Sequence, residues 1–156
     1  ALREKAYEQM IDACTKLNTP GQELAEMPGV HALTDITGFG LLGHLLEICR
    51  GSKLQATVEF AKTPILSAAK FLAEQGFVTG ASARNWASYG EHVRLPEGAP
   101  DWHRKMLTDP QTAGGLLVAC DAATAPKVMD IFKSQGFKDA CVIGEMRAGA
   151  ASVVVS

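Results

Sequence analysis

Three stretches of this sequence carry residue types that could do chemistry. The first, T-D-I-T-G-F-G-L-L-G-H from Thr34 to His44, sets a lone carboxylate three residues before a group of glycines. Mg²⁺ is commonly held by one or two carboxylates together with water and phosphate oxygens. Backbone amides after Gly38 and Gly40, at the start of a helix, would favour anionic groups. Asp35 is therefore a candidate metal ligand, with Thr34, Thr37, Gly38 and Gly40 as phosphate or loop candidates beside it. A second reading stays open, in which Asp35 caps the following helix and the glycines serve a tight turn. The second stretch is D-P-Q-T-A-G-G, from Asp109 to Gly115. Asp-Pro starts a turn, Gly114 and Gly115 let backbone approach another surface, and Gln111 and Thr112 are uncharged hydrogen bonders. The third is T-G-A-S-A-R-N-W-A-S-Y-G, from Thr79 to Gly90. Arg84 offers a bidentate fork for phosphate or carboxylate, with Asn85 and Ser82 as secondary hydrogen bonders. Trp86 and Tyr89 are expected to pin this segment to the core.

The first stretch contains a literal G-x-G-x-x-G (Gly38, Gly40, Gly43), and Glu59 follows roughly 20 residues later, as a dinucleotide-binding fingerprint requires. Two features weigh against that reading. A buried parallel strand should be apolar just before its first glycine, whereas this one has Thr34, Asp35 and Thr37. Asp35 would also place a carboxylate beside a pyrophosphate with no cation between them. The histidines (His31, His44, His92, His103) show no metal-ligand spacing. The four cysteines, at 14, 49, 120 and 141, form no C-x-x-C and read as reduced, small hydrophobes.

The elements that must position these loops follow from periodicity. Residues 2–18 read as an amphipathic helix carrying Leu2, Ala6, Met10, Ile11, Cys14 and Leu17, and 22–27 as one further turn. Strands are expected at 30–36, 54–60 and 115–120, with helices at 39–49, 65–75, 102–107 and 124–135. The segment 77–100, dense in Gly, Pro and Asn, reads as a long ordered loop. Two last strands, 141–145 and 152–155, are expected to pair across a turn at Gly149. Helices alternating with strands mean an α/β domain in which a sheet carries packed helices.

The chain has 156 residues, enough for one domain with its own core, and 47% hydrophobic with 21% charged residues places it among ordinary globular proteins. Lys+Arg 15 against Asp+Glu 17 gives a net charge of −2, without the basic surplus that nucleic acid or anionic membrane would call for. The longest apolar runs fall far short of a membrane span. The charged opening has no apolar signal core, so a cytoplasmic location is expected. A helix under way at once after Ala1 is read as a piece of a longer chain.

At VHALTDITGFGLLGHLLE, RNWASYG and LTDPQTAGGLLVA the chain resembles the C-terminal domain of selenophosphate synthetase (selenide, water dikinase). That family forms selenophosphate from selenide, ATP and water, releases AMP and phosphate, and needs Mg²⁺. The resemblance implies that residues 1–156 are a single C-terminal domain of a longer enzyme, an ATP-dependent phosphotransferase. It further implies a three-layer α/β/α domain with a mixed sheet, like the C-terminal domain of aminoimidazole ribonucleotide synthetase. Asp35 matches a family Mg²⁺ ligand. The nucleophile, the catalytic Lys, the nucleotide loop and the dimer interface belong to an N-terminal domain, so no catalytic residue is expected here. The chain alone is expected to be inactive and monomeric or weakly associated, although the full-length family is homodimeric. Its partners would be ATP, selenide and its own N-terminal domain. One departure is Gly80-Ala81-Ser82, where the family more usually has Gly-Gly-Thr; Ser82 keeps the hydroxyl, while Ala81 adds a Cβ. Asp35 is expected on an accessible loop at the sheet's edge, near Gly38 and the 109–115 turn, free of any salt bridge. Two alternatives remain: a relative from the same superfamily (a purine-pathway synthetase or a thiamine monophosphate kinase-like protein), and a non-catalytic dinucleotide- or phosphate-binding module.

Overall fold

The computed structural model describes residues 4–156. Leu2 and Arg3 of the expected first helix lie outside the described residues. The chain runs α1 (Glu4–Thr15), α2 (Pro20–Ala25), β1 (Val30–Asp35), α3 (Gly40–Ser52), β2 (Leu54–Val58), α4 (Ser67–Glu74) and α5 (Gly80–Tyr89). It continues as β3 (Val93–Arg94), α6 (Asp101–Leu107), β4 (Leu116–Cys120), α7 (Ala125–Ser134), β5 (Gly144–Ala148) and β6 (Ser152–Val155). This is the expected α/β fold with a mixed sheet, and its strands divide into two sheets. β1 and β4 form an antiparallel ribbon, while the other four lie in the order β3-β6-β2-β5. In that second sheet β6 runs parallel to both β3 and β2, and β5 runs antiparallel to β2.

Each sheet carries its own core. The run L-L-G-H-L-L-E-I-C is almost free of β-branched residues and so favours a helix. It lays Leu42, Leu45, Leu46 and Cys49 of α3 against Ala56 and Val58 of β2 and Val153 and Val155 of β6. Fully burying leucines such as Leu42 and Leu46 contributes on the order of 2 kcal/mol each. α3 runs three residues past its expected end and stops at Lys53, which takes the left-handed conformation (φ 58°) and donates its N–H to the Cys49 carbonyl. The second core packs Leu24 of α2 and Val128 and Phe132 of α7 onto Leu33, Leu116 and Val118 of the ribbon. An open, largely apolar cleft of about 1770 Å³ is lined from β2 and β5 and from β4 and α7, and it reaches the 109–115 turn.

Three expectations need correction. The stretch 77–100 is no loop: it holds α5, a short 3-10 turn and β3. Thr79 caps α5 by accepting a hydrogen bond from the Ser82 amide at its side-chain oxygen. β5 and β6 do not pair with each other, because β2 lies between them, and β5 begins at Gly144, later than expected. In α1 no residue is buried, and Tyr7 and Ile11 stay exposed, so its apolar stripe covers no core.

Candidate functional site

β1 ends at Asp35, opposite Leu116 at the start of β4, so the antiparallel register brings the first and second chemical stretches together. The pairing continues past the strands. The Ile36 amide donates to the Gly115 carbonyl (3.0 Å), the Gly114 amide to the Ile36 carbonyl (3.0 Å) and the Gln111 amide to the Thr37 carbonyl (3.0 Å). Gly114 has to be glycine: a Cβ there would stand 2.2 Å from the Ile36 carbonyl oxygen. Gly40 adopts φ +68°, and a Cβ on it would meet Thr108 C at 2.7 Å and Asp109 O at 2.9 Å.

The third stretch joins them as a helix. Asn85 donates through Nδ2 to the carbonyls of Gly38 (2.9 Å) and Thr108 (2.9 Å). One turn on, the Tyr89 hydroxyl donates to the Phe39 carbonyl at 2.6 Å. Burial pushes the Tyr89 phenol up to about 12, which keeps it a protonated donor. Ser82 faces inward, fully buried, with Oγ 2.6 Å from Thr108 Oγ1 and donating to the Lys105 carbonyl. Its hydroxyl therefore serves the α5–α6 contact and is not offered to a ligand. His44 is buried beneath the loop, with Nε2 hydrogen-bonded to Thr37 Oγ1 at 3.1 Å. His44 is the hydrogen-bonded helix histidine that its place in the apolar LLGHLLEI run suggests, whereas Thr108 carries no sequence signal.

Around this framework lie the groups that remain open. Asp35 is exposed at the end of β1 rather than on a loop, and its carboxylate has no hydrogen-bond or ion-pair partner among the described residues. Arg84, Gly38, Gln111, Thr112 and Gly115 are exposed as well, and Arg84 pairs with no carboxylate among the described residues. Thr34 is half-buried and donates its hydroxyl to the Asp35 carbonyl (3.2 Å). No group of three or more His, Cys, Asp or Glu able to hold a metal occurs among the described residues. Burial pushes the thiols of Cys49, Cys120 and Cys141 up, away from thiolate chemistry.

The glycine fingerprint has a different use from nucleotide binding. β1 and β2 belong to different sheets, so β1-α3-β2 is not the parallel unit on which dinucleotide binding depends. Gly43 makes room for the Tyr89 ring and Gly40 for the 108–109 backbone. The dinucleotide-module alternative loses its structural basis.

Asp109 accepts a hydrogen bond from the Thr79 hydroxyl at 2.7 Å, yet burial outweighs that bond and pushes its carboxyl up from the ordinary 3.8. The folded state thus holds the Asp109 proton more tightly than the unfolded state does. Its ionisation costs stability once the pH exceeds the ordinary carboxylate range, and the cost disappears below it. Asp109→Asn, which keeps an acceptor for Thr79, is expected to raise the melting temperature at pH 7 by about 2 °C. Melts repeated down to pH 3 should show the gain closing; an unchanged or lower melt at pH 7 contradicts the assignment.

Comparison with known proteins agrees with this architecture. The family described as AIR synthase related protein, C-terminal domain, matches residues 6–156. A selenide, water dikinase of Pseudomonas straminea is 56% identical over 154 residues, covering 99% of this chain and 43% of that protein. The chain thus spans less than half the length of the curated relatives it matches. Among solved structures, E. coli HypE superposes with a TM-score of 0.66 at 19% identity over 96% of this chain and 40% of its own. Thiamine-monophosphate kinase from Stenotrophomonas maltophilia K279a superposes with a TM-score of 0.64 at 21% identity over 100% of this chain and 41% of its own. At those identities the likeness speaks for the fold alone. With the family match running from α1 to the end of β6, this chain belongs to the AIR synthase related proteins, as their C-terminal domain.

Proposed function

We propose that this chain acts as the C-terminal domain of a selenide, water dikinase, in which ATP, selenide and water give selenophosphate, AMP and phosphate. The observation that carries this reading is the 56% identity over 99% of the chain to a selenide, water dikinase. Of the superfamily alternatives, a thiamine monophosphate kinase-like protein has only the shared fold in its favour, and a purine-pathway synthetase only the shared family match.

The donor set fits Mg²⁺ as a partial site. Asp35 offers one hard anionic ligand, exposed and without an internal partner, and a complete site would need water, phosphate oxygens and carboxylates from elsewhere. When bound, the ion would neutralise charge developing on the phosphate oxygens. In this reading Arg84, Thr112 and the backbone at Gly38, all exposed, would bind the anionic groups that this charge balance requires. An N-terminal domain would supply the nucleophile, most of the ATP site and the dimer interface. The chain alone would then be inactive and monomeric or weakly associated. A cytoplasmic location is part of the same proposal; among the described residues no helix is long and apolar enough to cross a membrane.

The test is product formation. The full-length protein is expected to release AMP from ATP only when selenide is present, and this chain alone to release none. AMP release indifferent to selenide, or phosphate transfer to thiamine monophosphate instead, overturns the reading.

A further inference from the structure

Asn85 bridges two backbone carbonyls that belong to different parts of the chain. Both contacts of its amide are to carbonyl oxygens, which only the NH₂ end can satisfy, so the orientation of the side chain follows from chemistry. One acceptor is a fixed post. Thr108 is fully buried, its hydroxyl donates to the Arg104 carbonyl (2.9 Å) and meets Ser82 Oγ, and Ser82 is itself buried. The other acceptor, Gly38, is exposed, and no atom stands near its missing side chain to hold it by packing. Asp35 lies three residues before it. From the same helix face Tyr89 holds the next carbonyl, that of Phe39.

We infer that Asn85 is a positioning residue: it ties the Thr37–Phe39 loop to the Thr108 post and so adds to the backbone pairing at Ile36 and Thr37 in fixing where the Asp35 carboxylate stands relative to the turn at 109–115. This use of Asn85 rests on the proposed function, but the tie itself does not. α5 makes no metal contact in this account and acts only through the loop. The Gly40 amide (3.1 Å) and the Gln111 amide (3.0 Å) both donate to the Thr37 carbonyl, so they report on whether the loop is held.

Asn85→Ala and Asn85→Asp test this in the full-length protein; the second keeps the shape, removes the donors and turns a carboxylate toward two carbonyls. In both variants the Gly40 and Gln111 amides are expected to exchange about tenfold faster relative to Leu45 in α3, where a global loss of stability would speed all three alike. The Mg²⁺ concentration for half-maximal ATP turnover is expected to rise roughly tenfold, while turnover at saturating Mg²⁺ changes much less. An unchanged exchange ratio overturns the tie, and an unchanged Mg²⁺ requirement overturns its positioning role. Should the parent protein form no AMP with selenide, the proposed function fails on that ground, and the exchange ratio still decides the tie.

Discussion

The full-length protein carrying Asp35→Asn is expected to fold like its parent and to lose at least about a hundredfold of its Mg²⁺-dependent ATP turnover, which corresponds to about 2.7 kcal/mol. The substitution removes a charge and changes almost nothing in shape. No internal hydrogen bond or ion pair to the carboxylate is sacrificed among the described residues, so the fold has no stake in the charge. A hard divalent cation does have one, since a neutral amide oxygen is a poor substitute for a carboxylate. The opposing view, in which Asp35 caps α3, predicts surviving activity because Asn caps about as well as Asp. The structure already counts against capping: the residue flanking α3 is Phe39, and no side chain caps that end. Thermal melts and ATP turnover measured side by side decide the matter. Near-normal turnover with an unchanged melt would remove Asp35 from the chemistry.

The second large effect is structural. Gly40→Ala should destabilise the domain by about 3 kcal/mol, combining left-handed backbone strain with overpacking. For a chain of this length that means a fall of roughly 6–12 °C in the melt. Two causes act at once. The backbone at Gly40 sits at φ +68°, and the new methyl would press on Thr108 C, Asp109 O and Leu107 O, none of which is the loose end of a side chain. Relief would require α6 and the following turn to move away from α3. Gly38→Ala is the control: nothing lies within 4 Å of its missing Cβ, and its φ is not positive, so a shift within about 0.5 kcal/mol is expected. Equal melts for the two variants would show that the α3–α6 contact does not depend on the absence of a side chain.

Much of this arrangement was legible in the sequence, for reasons visible residue by residue. α3 and β2 announce themselves because their inner faces are apolar at a period that matches their element. The meeting of TDITGFG with DPQTAGG could be expected, since one closes and the other opens a strand of one antiparallel ribbon and both carry the glycines that close approach needs. α5 was missed because its inward face is polar. Ser82, Asn85 and Tyr89 work by hydrogen bonding to backbone, and Asn85 reaches across 47 residues to Gly38, which leaves no local pattern to read. The β5–β6 hairpin was a reasonable inference from two short strands around Gly149. It fails because β2 offers each of them a better-packed neighbour, and pairing between distant strands has no signature in either one. The exposure of α1's apolar stripe had no sequence signal at all.

The place of β6 in the four-stranded sheet has a consequence for how the molecule forms. β6 is the strand that joins β3 to β2, and its Val153 and Val155 close the core beneath α3. Its first residue, Ser152, pairs with Gln55 of β2, 97 residues earlier. Joining them closes a long loop, and this kind of high contact order slows folding. During synthesis the core between α3 and β2 would lack its β6 neighbours, Val153 and Val155, until residues 152–155 emerge, whereas the β1–β4 ribbon can assemble earlier with α2 and α7. The half of the domain that bears Asp35 is therefore the half able to form first.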